Sequence, residues 1–509
     1  MASRTASAFR LIAAGWVLVR HDALAPREIA PLLPPAARIG SGFLRLFSGP
    51  QARRGRPGER LAASFERLGP VAIKLGQLLS TRADIFGQSF AEDLSRLKDR
   101  LPPFPIEQAR AVVEADLDRP LASLFASFEA PVAGASLAQA HPATLLDGRR
   151  VAVKVLRPGV ERRVDADLGV MALGASLVER FAPPLRRLEP RAFVATVARS
   201  MALELDMRLE AAAASEMGEV MGRDPYMRAP GVVWEGVGKR VLTLEWAPGD
   251  PLSTAGALDL AGLDRPALAT NVIRAFLAQA LDHGVFHADL HEGNLFVETP
   301  ARLHAVDFGI VGRLGAAERR FLAEILWGFL RRDYRRVAEV HFEAGYVPSR
   351  HGVDDFAQAL RAVGEPIVGR AAKDVSMGRL LGQLFEITAL FDMHLRPELV
   401  LLQKTMVTVE GVARRLDPDL DIWAAARPVV ERWIARELSP AGRVRDLAAK
   451  GLRAVEGFAR LADLGAPSAP VVVSRRGSAS GRAALALSAL AAGLAAAALA
   501  IALGWISPA

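Results

Sequence analysis

No cysteine occurs anywhere in the 509 residues, which excludes disulfide frameworks, thiolate zinc sites, iron–sulfur ligation and thiol nucleophiles in one step. Aromatic residues are scarce too: they make up 6% of the chain, with 3 tyrosines, too few for base-stacking platforms, so nucleic acid is not an expected partner. Only 9 histidines remain for metal work. No small-residue cleavage site follows the apolar stretch Leu11–Val19, so a secretory signal is not expected, and no repeat at a solenoid period is found. What is abundant is apolar surface, at 51% of residues, enough for at least one large core. The net charge of +8 and the isoelectric point near 10.2 come mainly from arginine, which suits anionic lipid or phosphate as well as nucleic acid; charge alone does not choose between them.

From Ala483 to Leu503 there are 21 residues without a charge, spanning about 30 Å as a helix, one hydrocarbon core. Arg475, Arg476 and Arg482 precede this run, no charged side chain follows it, and Trp505 stands at its end. That pattern predicts one transmembrane helix over 483–505 with the bulk of the chain on the cytoplasmic side of the inner membrane; the rival is a buried alanine-rich helix. Leu11–Val19, bracketed by Arg10 and Arg20, is too short to span and suits either the membrane interface or ordinary core packing. Val444, Leu447, Gly451, Val455, Phe458 and Ala462 recur at helical spacing opposite Arg443, Lys450, Arg453 and Arg460, a basic amphipathic helix that fits a membrane surface or the globular body. The stretch Gly465–Ser480 reads as a linker.

Chemistry enters at Asp147-Gly148, a tight-hairpin signal between two apolar runs, the second of which, Val151-Ala152-Val153-Lys154-Val155, alternates as a strand. A lysine borne on such a strand is where protein kinases neutralise the α- and β-phosphates of ATP. Downstream, Phe286-His287-Ala288-Asp289-Leu290-His291-Glu292-Gly293-Asn294 has the aspartate-to-asparagine spacing of a kinase catalytic loop, with Asp289 handling the nucleophile's proton and Asn294 holding Mg²⁺. The apolar run Leu303–Val306 then ends in Asp307-Phe308-Gly309, whose aspartate is placed to bridge Mg²⁺ to the phosphates. Each motif alone is matched by a capping or turn residue. Their joint order and separation are not.

The departures from an ordinary protein kinase are informative. Ala288 stands where an arginine would receive an activation-loop phosphate. After Asp307-Phe308-Gly309 a helical pattern begins near Ala316 with no Ala-Pro-Glu segment and little length for docking a peptide, so a protein substrate is not expected. In place of a glycine-rich phosphate loop the chain has Val132-Ala133-Gly134-Ala135-Ser136-Leu137-Ala138-Gln139, stiffer because most of its residues carry a Cβ.

These residues resemble the UbiB family of atypical kinases, marked by an alanine-rich loop. The family signature K-x-G-Q appears as Lys74-Leu75-Gly76-Gln77, and its E-x-D element resembles Glu204-Leu205-Asp206. Glu210 then suits the helical glutamate that would pair with Lys154, with Asp206 and Glu210 on one helix face. The resemblance implies ATP and Mg²⁺ as cofactors, a K-x-G-Q segment folded across the active site, and ATPase activity supporting ubiquinone synthesis at the membrane. The partners it implies are a membrane lipid or polyprenyl quinone precursor and other ubiquinone-biosynthesis proteins. Arg332-Asp333-Tyr334, Gly345-Tyr346-Val347-Pro348 and Gln403-Lys404-Thr405 leading to Glu410-Gly411-Val412 extend the likeness and are read as packing. The family's loop usually reads A-A-A-S where this chain has Ala133-Gly134-Ala135-Ser136, and its bacterial members commonly end in two spans rather than one.

The expected fold is α+β, a protein-kinase-like two-lobed fold with a helical N-terminal extension and a C-terminal transmembrane helix. The domains expected are an extension over 1–115, an N-lobe over 116–250, a C-lobe over 251–440, the amphipathic helix and linker over 441–482, and the span over 483–505. The catalytic set is Asp289, Lys154 and Glu210, and the metal ligands are Asn294 and Asp307. The nucleotide-binding set is Ala133, Gly134, Ala135, Ser136, Gln139, Lys154 and Glu245, and the regulatory set is Lys74, Gly76, Gln77, Glu204 and Asp206. Two other functions stay open: a small-molecule kinase of the aminoglycoside or choline type, which shares the loop pattern His287–Asn294, and a nucleotide-gated lipid-binding scaffold without catalysis.

Overall fold

A computed structural model of the chain describes residues 4–23, 42–49, 55–80, 88–95, 97, 102–181, 186, 189–365, 383, 387, 390–393 and 397–437. The expected span over 483–505, the amphipathic helix and the linker lie outside the described residues. Among the described residues, no helix is long and apolar enough to cross a membrane.

The chain begins with helices α1 (Arg4–Arg20), α2 (Pro57–Leu68), α3 (Pro70–Ser80), α4 (Gln88–Ser95) and α5 (Ile106–Leu117). Gly69, at φ 105°, turns α2 into α3, a conformation that favours glycine. The two helices and α4 close around Phe65, Ile73, Leu94 and Leu97. Gly76 is needed there, because a Cβ would stand 2.2 Å from Leu97 Cδ1 and 2.7 Å from Phe65 Cδ2.

An antiparallel sheet follows, from β1 (Phe125–Phe128), β2 (Ala133–Gly134), β3 (Ala138–Leu145), β4 (Arg150–Leu156) and β5 (Val241–Glu245). Its order is β1-β3-β4-β5, with β2 on β3. The Asp147-Gly148 turn between β3 and β4 forms as the sequence predicts, with Gly148 at φ 86° and the Leu145 amide donating to the Arg149 carbonyl at 2.9 Å. In β4, Val151, Val153 and Val155 are fully buried on one face against Ala109, Val112 and Val113 of α5. At about 1.5–3 kcal/mol per buried side chain, this alternation fixes which residues reach the other face.

Between β4 and β5 run α6 (Val160–Phe181), α7 (Pro190–Glu204) and α8 (Met207–Gly222). Met207, Ala211, Ala214, Met217 and Met221 line the buried stripe of α8 at helical spacing. The second lobe starts with strand β6 (Asp250–Pro251) and α9 (Arg265–Ala278). α9 is capped by Asp264 accepting from the Ala267 amide, and it widens into a π-turn over Gln279–His283 closed by Gly284 at φ 70°. Strands β7 (Val285–His287), β8 (Leu295–Glu298), β9 (Arg302–Ala305) and β10 (Val311–Arg313) form small antiparallel pairs, β7 with β10 and β8 between β6 and β9. Helices α10 (Ala316–Arg331), α11 (Tyr334–Glu343), α12 (Val353–Gly364), α13 (Pro397–Leu416) and α14 (Ile422–Glu437) complete the described chain. One cluster joins the inner face of the sheet (Leu242, Leu244) to α8, α9 and α13, so both lobes share a core and leave a polar cleft at its rim.

Candidate active site

Lys154 enters the cleft because β4 buries its odd-numbered valines outward and turns Lys154 to the opposite face, beside Leu242 of β5. Its ammonium donates to both oxygens of Glu210 at 2.8 and 2.9 Å and reaches Asp307 Oδ1 at 3.4 Å. Glu210 is held on the first turn of α8. Asp307 follows β9 at φ 63°, a left-handed conformation that aspartate tolerates; its Oδ1 also accepts from the Gly309 amide at 3.4 Å. Burial alone would lower the Lys154 pKa, but Asp307 and Glu210 outweigh it and hold the ammonium above the ordinary lysine value. Lys154, in turn, holds Asp307 below the usual carboxylate range. Burial pushes Glu210 the other way, upward, against the pull of Lys154. One cation therefore ties a strand, a helix and the Asp307 loop together, and the Asp307 carboxylate stays about half exposed (49%).

The catalytic loop is braced from below by His287. This buried imidazole offers Nε2 to the Val306 carbonyl at 3.1 Å and accepts the Asp289 amide on Nδ1 at 3.1 Å, which assigns the proton to Nε2. Burial lowers its pKa, and Phe308 lies against the ring with centroids 5.2 Å apart. The Gln279 Oε1, from the π-turn, accepts the His287 amide at 3.1 Å. Asn294 donates its Nδ2 to the Asp289 carbonyl at 3.1 Å, and its own carbonyl accepts from the Val306 amide at 2.9 Å. Committing the amide nitrogen in this way leaves Oδ1 as the side chain's acceptor atom. Asn294 and Asp307 thus come from two loops stitched at Val306. A neutral oxygen and a carboxylate fit a hard cation whose remaining ligands are phosphate oxygens and water. The donor set, with the Lys154 ammonium against Asp307, fits a Mg²⁺-nucleotide.

Asp289 itself sits with His291 Nε2 3.8 Å from Oδ2 and Lys404 Nζ 3.7 Å from Oδ1. Lys404 comes from α13, and its neighbour Thr405, fully buried, places Oγ1 3.1 Å from the Ala288 carbonyl and 2.8 Å from the Leu401 carbonyl of its own helix, one hydroxyl proton shared between the two. The motif Gln403-Lys404-Thr405, read from sequence as packing, therefore touches the catalytic loop. That motif was the available signal for both residues.

The alanine-rich loop forms a small turn in which Ala133 and Gly134 pair with Ala140 and Gln139, and the Ala135 amide donates to the Ala138 carbonyl at 2.8 Å. Ser136 is buried within it. Arg157, just past β4, donates Nε and Nη2 to the Ala135 carbonyl at 3.0 and 2.9 Å, a clamp that sequence reasoning missed. Gln139 and Glu245, both in the expected nucleotide set, do not bring their side chains to the Lys154 cluster. They pair with Val155 and Val151 and so project from the sheet face opposite Lys154. The Gln139 amide group accepts from the Phe104 amide at 2.9 Å and donates to its carbonyl at 3.1 Å, while Glu245 lies near Arg149 and the Gly231 amide, both at 3.3 Å.

In α3, Lys74 is buried and pairs with Glu204 at the end of α7. Glu204 is near enough to Glu210 to contribute to its raised pKa, so the K-x-G-Q helix is linked electrostatically to the Lys154 cluster. Gln77 is not drawn into that cluster; its carbonyl accepts from Ser80 Oγ at 2.6 Å. The expectation that Asp206 and Glu210 share a helix face is also corrected. The helix breaks at Leu205, and Asp206 is the N-cap of α8, accepting from the Arg208 amide at 3.2 Å.

Comparison with known proteins agrees with this geometry. Residues 96–341 match the ABC1 atypical kinase-like domain, and residues 360–421 match the UbiB helical domain. A Marinobacter nauticus protein named "Probable protein kinase UbiB" is 42% identical over 445 residues, covering 86% of this chain and 81% of the relative. A Xanthomonas euvesicatoria protein of the same name is 41% identical over 422 residues, covering 81% and 76%. The solved Mycobacterium tuberculosis protein Rv3197, in complex with erythromycin, is similar in fold, with a TM-score of 0.51 at 24% identity, covering 77% of this chain and 97% of that one. The two-lobed fold and the Lys154 cleft define an atypical, ATP-using kinase-like enzyme. The chain belongs to the UbiB family.

Proposed function

We propose that the chain is a membrane-anchored, Mg²⁺-dependent ATPase or phosphotransferase acting on a non-protein acceptor, and that its activity supports ubiquinone biosynthesis. The observation that carries the reading is the Lys154 ammonium shared between Glu210 and Asp307. A closed ion pair needs one carboxylate; a second, half-exposed one at the cleft edge is what a metal-bound phosphate requires. Bound Mg²⁺-ATP supplies the phosphoryl group and the cation that polarises it. Lys154 would hold the α- and β-phosphates, Asn294 and Asp307 would hold the cation, and Asp289 would take the acceptor's proton. The link from Lys74 through Glu204 to Glu210 supports a role for the K-x-G-Q helix in closing the cleft to proteins.

The membrane part of the reading draws on the uncharged run Ala483–Leu503 and on α1. Phe9, Ile12 and Trp16 are exposed along one side of that helix, and Phe43, Leu46 and Phe47 are exposed beside it, with the Trp16 and Phe47 rings 5.7 Å apart. Arg10 and Arg20 flank the aromatic face, the composition that lies well at an anionic lipid interface. The ubiquinone part draws on the family alone.

The test is ATP hydrolysis by the full chain with and without Mg²⁺ and anionic vesicles, compared with Asp289→Asn, together with quinone profiling of cells lacking the protein. Vesicle-stimulated, Asp289-dependent turnover and a quinone defect are expected. Phosphate recovered on an added aminoglycoside or choline would move the assignment to a small-molecule kinase, and normal quinone levels in the deletion would remove the biosynthetic role.

A further inference from the structure

Helix α13 reaches back into the catalytic loop at three points. Thr405 Oγ1 sits between the Ala288 carbonyl and the Leu401 carbonyl of its own helix, Lys404 stands beside Asp289, and Arg415 pairs with Glu292. The helix is firmly seated, with Leu402, Val409, Val412, Ala413 and Leu416 buried in the core it shares with α9. The loop, by contrast, carries no lysine or arginine between His287 and Asn294. Its imidazole at His291 is tied to loop folding, Nδ1 accepting from the Gly293 amide at 3.0 Å.

Phosphoryl transfer needs positive charge where the oxygens of the moving group gather. Lys154 is committed to Glu210 on one flank of the cleft. On the other flank, Lys404 is 38% exposed and 3.7 Å from Asp289, longer than a hydrogen bond, so its ammonium has donors to spare.

We infer that Lys404 contacts the terminal phosphoryl group of the bound nucleotide and is a catalytic residue contributed by the helical domain, with Thr405 and Arg415 as positioning residues that fix it on the loop. The inference rests on the nucleotide reading above. In the step concerned, the acceptor oxygen bonds to the terminal phosphorus as the bridging oxygen leaves with its electron pair. Asp289 takes the acceptor's proton, and Lys404 keeps its own.

The test is calorimetric titration of the full-length Lys404→Ala protein, in Mg²⁺, with a non-hydrolysable ATP analogue and with ADP, alongside steady-state turnover. Affinity for the analogue should fall about tenfold or more, the loss of a charge-assisted contact. Affinity for ADP should stay within about twofold, which also reports that the variant is folded. The kcat should fall roughly 100-fold. Lys404→Met, which keeps the aliphatic stem, should show the same split, and Lys404→Arg should recover part of the analogue affinity. Equal loss for both nucleotides, or no loss for either, would overturn the role of Lys404 while leaving the nucleotide reading intact. A wild-type protein that binds neither nucleotide would overturn both.

Discussion

Two lysine–glutamate pairs lie within electrostatic reach of each other and serve different ends. Lys74 and Glu204 join α3 to the end of α7, with side chains 11% and 23% exposed. Lys154 and Glu210 join β4 to α8, with a third partner, Asp307, on the same ammonium. The first pair docks one helix on another; the second leaves an open charge at the cleft. What sets the pair proposed to be catalytic apart from the other is the extra carboxylate rather than burial, since both pairs are largely covered.

The comparison is broken most directly by removing each lysine. Lys154→Ala should abolish measurable nucleotide binding in a fluorescent-nucleotide titration and lower turnover by at least about 100-fold. Lys74→Ala should instead lower stability by about 3 kcal/mol in urea denaturation, because Glu204 is left covered and unpaired, while the folded fraction keeps turnover within roughly tenfold of wild type. Equal turnover losses at unchanged stability would erase the distinction.

A pH titration sharpens it further. His287, beneath the cleft, has a pKa lowered by burial from 6.5. A depressed folded-state pKa means stability that is full above the unfolded value and lost as pH falls from there toward the folded value. Thermal melts should therefore decline below about pH 6.5, and His287→Gln should flatten that limb without affecting the Lys74 pair. The smallest effect is expected at the junction between the two pairs. Asp206→Ala removes the N-cap of α8 and should cost about 1 kcal/mol in denaturation, with nucleotide affinity nearly unchanged.

Much of the site was legible because kinase chemistry fixes short local patterns. Lys154 on its alternating strand, the Asp289–Asn294 spacing and Asp307-Phe308-Gly309 each carry their context with them, and the structure brings Lys154 and Asp307 together. Strand phase was not legible. Gln139 and Glu245 sit near the right residues in sequence, yet their register turns them to the α5 side of the sheet, and a one-residue shift in pairing is invisible without the partner strand. Asp206 failed for a related reason: helical spacing from Asp206 to Glu210 assumes one continuous helix, whereas aspartate is as well suited to starting a new one. Lys404 and Thr405 were singled out in sequence only as packing, and their meeting with the catalytic loop became visible in space, since they lie more than a hundred residues away from it. The expected span over 483–505 lies outside the described residues, whereas the stretch Leu11–Val19 lies within α1.

The Arg157 clamp bears on how nucleotide enters and leaves. Its guanidinium fastens the crest of the alanine-rich turn to the end of β4, the same strand that presents Lys154. If this turn covers the phosphates as proposed, a cover stapled to that strand moves with it. Exchange of ADP for ATP should therefore proceed by tilting of the sheet as one plate, lifting cover and lysine together, rather than by the flapping of a loose lid.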